Sequence, residues 1–134
     1  MKRLNLNKQS VRRESTVGEY LKNCHHELDG DLVGLWGLVG IGRRFYGLKD
    51  GDLREFIIYA IIQLFAHGAH VIDGSKDPAF LWEKTDRYGS DPEEAAFNIV
   101  KEWNAKGEPD IRGWDGIAFA TQEWLDSSDN RRDA

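Results

Sequence analysis

The chain is poor in cysteine and proline. Its 134 residues include one cysteine, Cys24, so no disulfide can form within the chain. A chain without a disulfide framework is typical of reducing compartments, which predicts a cytoplasmic protein. Only three prolines stand beside five tryptophans, and aromatic residues supply the apolar area that offsets the entropy of ordering. We therefore expect a folded chain rather than a disordered one.

Long hydrophobic runs are also missing. The most apolar stretches, residues 32–41 and 56–65, are much shorter than the roughly 20 residues that a membrane-spanning helix needs. The basic residues near the N-terminus are not followed by an apolar segment, so no secretory signal is expected. The sequence predicts one globular domain over residues 14–125, between a flexible basic arm, 1–13, and a polar tail, 126–134.

Recognisable catalytic motifs are absent from the sequence. It contains no nucleophile elbow and no zinc-protease helix. The adjacent acids Glu93 and Glu94, like Asp50 and Asp52, stand where helix starts are expected, and stabilisation of the helix dipole explains them without acid–base chemistry. We therefore expect a binding protein without catalytic residues or a cofactor, rather than an enzyme.

Four histidines keep a second interpretation open. His25 and His26 are adjacent, and neighbouring residues on a helix point about 100° apart, so they are poorly placed to share one metal ion. His67 and His70 are separated by a predicted helix end. No metal is expected, but a small enzyme or metal-binding protein that uses His25, His26, His67 or His70 remains an alternative.

The glycine-rich stretch after Asp31 does not match a nucleotide-binding loop. Glycines 34, 37, 40 and 42 have the reverse of the dinucleotide spacing, and two arginines follow instead of Lys-Ser or Lys-Thr. The first three would share one face of a helix and let a neighbouring backbone come close. A homodimeric interaction module, with residues 32–46 packed against a second copy, is therefore another alternative.

Hydrophobic periodicity predicts a mainly α fold of the α+β class, a helical domain with a minor two-stranded sheet. Thr16 and Glu19 form a capping box that begins the first helix. The segment 69–73 and the weakly alternating segment 116–121 are expected to pair as the two strands. The other predicted helices lie in residues 31–46, 50–67, 78–82 and 92–106.

Charge is distributed unevenly along the chain. Five basic residues precede the first acid, Glu14, so the remainder carries more negative charge than the net −5 of the whole chain indicates. Such a body repels nucleic acid and favours a basic protein partner. Acids are densest around Trp114, an aromatic residue in a predicted exposed loop. The predicted partner-binding residues are Asp86, Asp91, Glu93, Glu94, Glu108, Asp110, Trp114 and Asp115.

The order of four segments adds a resemblance. An apolar helix at 56–65 is followed by a strand with an Asp-Gly turn at 70–74, an acidic helix at 91–103 and an aromatic-bearing strand at 114–124. In this order the chain resembles the small immunity proteins that bacteria encode beside contact-dependent and other polymorphic toxins. The resemblance implies a cytoplasmic inhibitor that neutralises one cognate toxin, often a nuclease, by covering its basic active site. It assigns no role to an individual residue.

Overall fold

The computed structural model describes residues 4–11, 15–110 and 116–132. Short 3-10 turns follow the first helix at Cys24–Leu28 and the last at Ser128–Asn130, and a π-helical turn occupies Ile41–Phe45. None of the helices in these ranges combines the length and the apolar character needed to cross a membrane. The helices are α1 Val17–Asn23, α2 Leu35–Gly40, α3 Asp50–Ala66, α4 Pro92–Ala105 and α5 Gln122–Leu125. The strands are β1 Val33–Gly34, β2 His70–Gly74, β3 Trp82–Lys84 and β4 Ala118–Ala120.

The sheet has four antiparallel strands in the order β1-β4-β2-β3. The expectation of a mainly helical domain with a two-stranded sheet is therefore wrong, and the fold is α+β with a larger sheet. The predicted central pair is present, since β2 and β4 pair with Val71 opposite Phe119. The missed strands are the two edges, β1 with two residues and β3 with three, which are too short for a period-two pattern to reveal.

Strand β3 lies where the sequence predicts a short helix. The helix-start signal at Asp77-Pro78 forms a turn instead, in which Asp77 Oδ1 accepts a hydrogen bond of 2.9 Å from the Ala79 amide. Trp82 then pairs with Gly74 of β2 and is 2% exposed. Burial of an indole against the sheet outweighs a local capping preference, because a buried aromatic side chain contributes several times the energy of one cap.

The glycine-rich segment is not one helix. It forms β1, α2 and the π-helical turn in succession. A Cβ atom at Gly42 would lie 2.6 Å from Leu53 Cδ1 of α3, and one at Gly34 would overlap the ring of Trp36. At Gly37 a Cβ atom would meet nothing within 4 Å. The expected helical face of three glycines is therefore wrong, and the close approach to another helix occurs at Gly42.

Helix α3 is the centre of the core, as its apolar residues on both sides predict. Helix α4 runs antiparallel to it, because Arg54 near the start of α3 pairs with Glu108 beyond the end of α4, whereas Phe65 and Pro92 line one cavity at the opposite end. The two long helices therefore lie side by side with a groove between their outer faces. The α3 side chains that are at most 1% exposed are Leu53, Phe56, Ile57, Ala60, Ile61 and Leu64.

Both terminal segments contact the body where they are described. Residues 4–11 of the predicted arm include a hydrogen bond of 2.7 Å from the Val11 amide to the Phe45 carbonyl. In the predicted tail, Asn130 is 2% exposed. Its side chain accepts a hydrogen bond from the Trp82 amide at 2.8 Å and donates to the carbonyls of Trp82 and Leu125 at 3.1 and 3.0 Å. Asn130 thereby closes the outer edge of β3.

Replacement of this asparagine should destabilise the fold. Asn130→Ala leaves three buried backbone groups without their partner, and we expect a loss of about 3 kcal/mol in the free energy of unfolding. Urea denaturation measures it. Ser128→Ala, at an exposed position in the same turn, is the control and should change little. Equal denaturation midpoints for the two variants would show that the edge does not depend on Asn130.

Candidate functional site

The predicted acidic residues do not form one surface. Glu93 and Glu94 are exposed in the first turn of α4, which Asp91 caps by accepting a hydrogen bond from the Glu94 amide at 3.0 Å. Glu108 and Asp110 lie beyond the other end of this 14-residue helix, about 20 Å away at 1.5 Å per residue. The structure therefore separates the acids into two groups.

The two acids at the far end are used within the chain. Arg43 Nη1 pairs with Asp110 Oδ1 at 2.6 Å, and Arg54 pairs with Glu108. The Arg43 guanidinium also lies 5.4 Å from the centre of the Trp103 ring. These contacts tie the segment after α4 to α3 and to the π-helical turn. The negative charges of Glu108 and Asp110 are balanced by these arginines, so the two acids contribute less to the attraction of a partner.

The remaining predicted residues have other surroundings. Asp86 is exposed and lines a cavity of 550 Å³ with His70 and Lys84, between the sheet and the start of α4. Trp114 and Asp115 lie outside the described residues. Within the described ranges, the predicted acids that are exposed and without an ion pair are Asp86, Asp91, Glu93 and Glu94.

Two exposed aromatic side chains lie in the groove between α3 and α4. The groove has a volume of 750 Å³, and its apolar lining includes Ile58, Tyr59, Phe97 and Val100. Tyr59 is 47% and Phe97 58% exposed, which is unusual for large apolar side chains in the described part of the chain. Two exposed aromatic residues that share one groove are a feature of interaction sites rather than of ordinary surface.

Carboxylates accompany both aromatic residues. On α3, Asp52, Glu55 and Tyr59 follow one another at spacings of three and four residues, so they share one face. On α4, Phe97 is three and four residues after Glu94 and Glu93, one turn away. We define the aromatic–acidic surface as the face of α3 and α4 formed by these residues. Its members are Asp52, Glu55, Tyr59, Glu93, Glu94 and Phe97.

Sequence reasoning missed the aromatic half of this surface. Tyr59 belongs to a helix that is apolar on all sides, so periodicity assigns it to the interior. Phe97 had a detectable signal, because it falls outside the buried stripe of α4 formed by Ala96, Ile99 and Val100. An apolar residue on the polar face of an amphipathic helix is a reason to expect a contact site there.

Two residues with an unusual backbone conformation lie at or next to the groove between α3 and α4. Asp50 and Glu108 are the non-glycine residues with positive φ in the described ranges, each at +53°. Asp50 lines the groove, and Glu108 pairs with Arg54, which also lines it. Such conformations cost of order 1–3 kcal/mol each and are concentrated at functional sites. Both strained residues therefore lie beside the aromatic–acidic surface.

Three of the histidines lie together, and two of them, His25 and His67, form a stack. The rings of His25 and His67 lie 3.6 Å apart at an angle of 9°, and the His26 ring is 4.2 Å from that of His25. Parallel rings direct their nitrogen lone pairs alongside each other rather than towards one point. In the part of the chain that the structure describes, no three His, Cys, Asp or Glu residues are grouped to hold a metal ion. His70 lies apart from the stack, on β2.

The cysteine beside this stack is buried. Burial, with a smaller contribution from the negative charge of Glu27, raises the pKa of the Cys24 thiol to about 12. Its sulfur therefore stays protonated at neutral pH. A protonated, buried thiol is neither a nucleophile nor a metal ligand.

The histidine stack should make stability depend on pH. Desolvation, followed by the nearby His67 and His26, lowers the pKa of His25 below its ordinary value. The folded chain then binds fewer protons than the unfolded chain, so stability present above pH ~6.5 is lost as the pH falls through the folded pKa. His67→Phe keeps a stacked ring without charge. We expect it to raise the pKa of His25 and to reduce the loss of stability between pH 7.5 and 5.5.

NMR titration of the His25 ring protons and urea denaturation at both pH values measure these effects. His70 is present in both proteins and supplies a common background, since its pKa is also lowered by desolvation and by Lys84. An unchanged His25 pKa in His67→Phe would contradict the proposed coupling between the rings.

Comparisons with known proteins give no further guide to the site. The chain has no significant match among protein-family models, curated proteins or solved structures. The groove between α3 and α4 and the charged residues around it are therefore the features that bear on its function.

Proposed function

We propose that this chain is an inhibitory binding protein that docks a basic protein partner on its aromatic–acidic surface. One observation carries the proposal: Tyr59 and Phe97 are exposed together in one groove, and each has carboxylates one helical turn away. The proposal keeps Glu93 and Glu94 from the predicted binding residues. It replaces Trp114 with Tyr59 and Phe97 as the aromatic anchors.

The aromatic residues and the carboxylates of this surface have different roles in binding. Aromatic side chains that enter pockets of a partner supply most of the binding energy at many interfaces. Surrounding carboxylates accelerate encounter with a basic surface and disfavour partners of the wrong charge. The surface on α3 and α4 contains both types on two helices whose inner faces are fixed in the core. It is therefore rigid enough to bind without a large ordering cost.

The partner class follows from charge and from the resemblance to immunity proteins. A nuclease active site is basic because it binds phosphate, and carboxylates of an inhibitor can occupy it in place of the nucleic acid. The proposed partner is thus a cognate toxin, of which a nuclease is the leading example. In this proposal the chain acts in the cytoplasm and contributes no chemistry of its own.

Loss of the aromatic pair should strongly weaken binding of the partner. We expect Tyr59→Ala combined with Phe97→Ala to weaken binding at least about 30-fold, since an interface hot spot contributes about 2 kcal/mol or more. The measurement is affinity capture of the partner from the source cells by the tagged chain, followed by a binding titration. Leu6→Ala combined with Val11→Ala removes two other exposed apolar side chains and should leave capture unchanged. Capture by the aromatic double variant at the wild-type level would refute this docking surface.

Charge reversal on α4 should slow association. Glu93→Lys combined with Glu94→Lys places two cations beside Phe97, and we expect a lower association rate with a weaker dependence on salt. Stopped-flow or surface-based kinetics at low and high salt provide the measurement. Glu123→Lys combined with Asp129→Lys makes the same change in net charge at two exposed positions elsewhere. If both double variants slow association equally, overall charge and not this surface steers the partner.

A further inference from the structure

The outward face of α4 has an ordered pattern of charge around one exposed aromatic residue. Phe97 is 58% exposed, and it lies four residues after Glu93 and four residues before Lys101. All three side chains are exposed, and a spacing of four residues keeps them on one side of the helix. Along this stripe an acid is therefore one turn before the aromatic residue, and a cation is one turn after it.

The two charges of the stripe are not used for ion pairs in the part of the chain that the structure describes. Neither Glu93 nor Lys101 belongs to an ion pair there. Eight residues separate them, about 12 Å along the helix axis, so they cannot pair with each other. At a spacing of four residues, where a helix can pair opposite charges, each of them has Phe97 instead. Both charges are therefore available to a second molecule.

The pattern is complementary to itself when its direction is reversed. If a second copy of α4 lies antiparallel across the first, with the two Phe97 residues at the centre, each Glu93 faces Lys101 of the other copy. A two-fold axis makes this contact twice, because both copies use the same surface patch. A stripe with charges of one sign would instead repel its own copy. The order of acid, aromatic residue and cation at equal spacing therefore favours a second copy as the occupant.

The groove beside Phe97 has space for the aromatic residue of a second copy. Its volume is 750 Å³, and Tyr59 of α3 lines it together with Phe97 of α4. A phenyl ring that enters the groove can contact both residues, and aromatic pairs add to the energy of apolar burial. The groove adds no net repulsion between copies, because its charged lining is balanced. The charged lining residues are Lys49, Arg54, Lys101, Asp50, Asp52 and Glu55.

We propose that the chain forms an antiparallel two-fold dimer through α4. Phe97 of each copy lies in the groove of the other copy, and two pairs of Glu93 with Lys101 lie on either side of the axis. This contact is separate from residues 32–46, the dimer contact that the glycine pattern predicts. The inference goes beyond the proposed function and does not depend on it. Where both hold, the dimer and the complex with the basic partner exclude each other, because both cover Phe97.

The contact is small, so we expect a weak dimer. A contact centred on one helix of 14 residues is at the low end of interface sizes, below about 1,200 Å² in total, where transient complexes are found. Sedimentation equilibrium of the full chain, from about 10 μM to about 0.5 mM, should therefore show a reversible equilibrium between monomer and dimer. A chain that remains monomeric throughout this range overturns the proposal.

Charge variants test the antiparallel register. Glu93→Lys gives the stripe two cations and Lys101→Glu gives it two acids, so each variant alone should self-associate at least about tenfold more weakly than wild type. In an equal mixture, the two variants place a cation opposite an acid on both sides of the axis. They should then associate with each other within about threefold of the wild-type affinity. Lys76→Glu, at an exposed position after β2, is the matched control and should dimerise as wild type does.

Mixing distinguishes the register from a defect in folding, because a misfolded variant is not repaired by a second variant. The proposal is overturned if the mixture associates no better than the separate variants, or if either variant dimerises as wild type does. Phe97→Ala removes the central residue, and its self-association at the wild-type level would also overturn the proposal. These measurements contain no partner protein, so loss of the dimer contact leaves the proposed function standing, and failure of partner capture leaves the dimer standing.

Discussion

Burial of helix α3 is the constraint on which the rest of the structure depends. Six of its side chains are at most 1% exposed, and α1, the π-helical turn and α4 pack around them. Gly42 lets the π-helical turn come close enough, because a larger residue there would collide with Leu53 and Phe56. With these faces occupied, one stripe of α3 remains outside the core. That stripe contains Asp52, Glu55 and Tyr59, so the geometry of the core determines where the candidate site lies.

Some carboxylates of the chain form ion pairs with arginines, and others are exposed to solvent without an ion pair among the described residues. Arg43 and Arg54 pair with Asp110 and Glu108 beyond the end of α4, and the pair of Arg54 with Glu108 brings that segment against the start of α3. The acids in the first turn of α4 have no such partners among the described residues, and they stabilise the helix dipole while facing solvent. These unpaired acids lie one turn of α4 before Phe97, one of the two exposed aromatic residues. An electrostatic surface of this kind attracts a basic partner and orients it before contact.

Local signals account for the elements that reasoning from the sequence located. The capping box of Thr16 and Glu19 is present in both directions, with hydrogen bonds of 3.1 and 3.2 Å. Asp91 and Pro92 begin α4 as the pattern of cap, proline and acids predicts. The pairing of β2 with β4 agrees with the prediction from the apolar segment 69–73 and the weakly alternating segment 116–121. These features depend on residues within a few positions of one another or on a strong apolar pattern, which a single sequence contains.

The sequence by itself determined the central helix, the acidic helix and an excess of acids over bases after the N-terminal segment. Only the tertiary structure decided the four-stranded sheet, the close approach at Gly42 and the position of the aromatic–acidic surface. Strands β1 and β3 exist because β4 and β2 offer them hydrogen bonds, and not because their own residues alternate. Tyr59 and Phe97 are exposed because no element among residues 4–11, 15–110 and 116–132 packs over them. The exposure of a side chain depends on which elements pack against it, and the sequence pattern of a single helix does not contain that information.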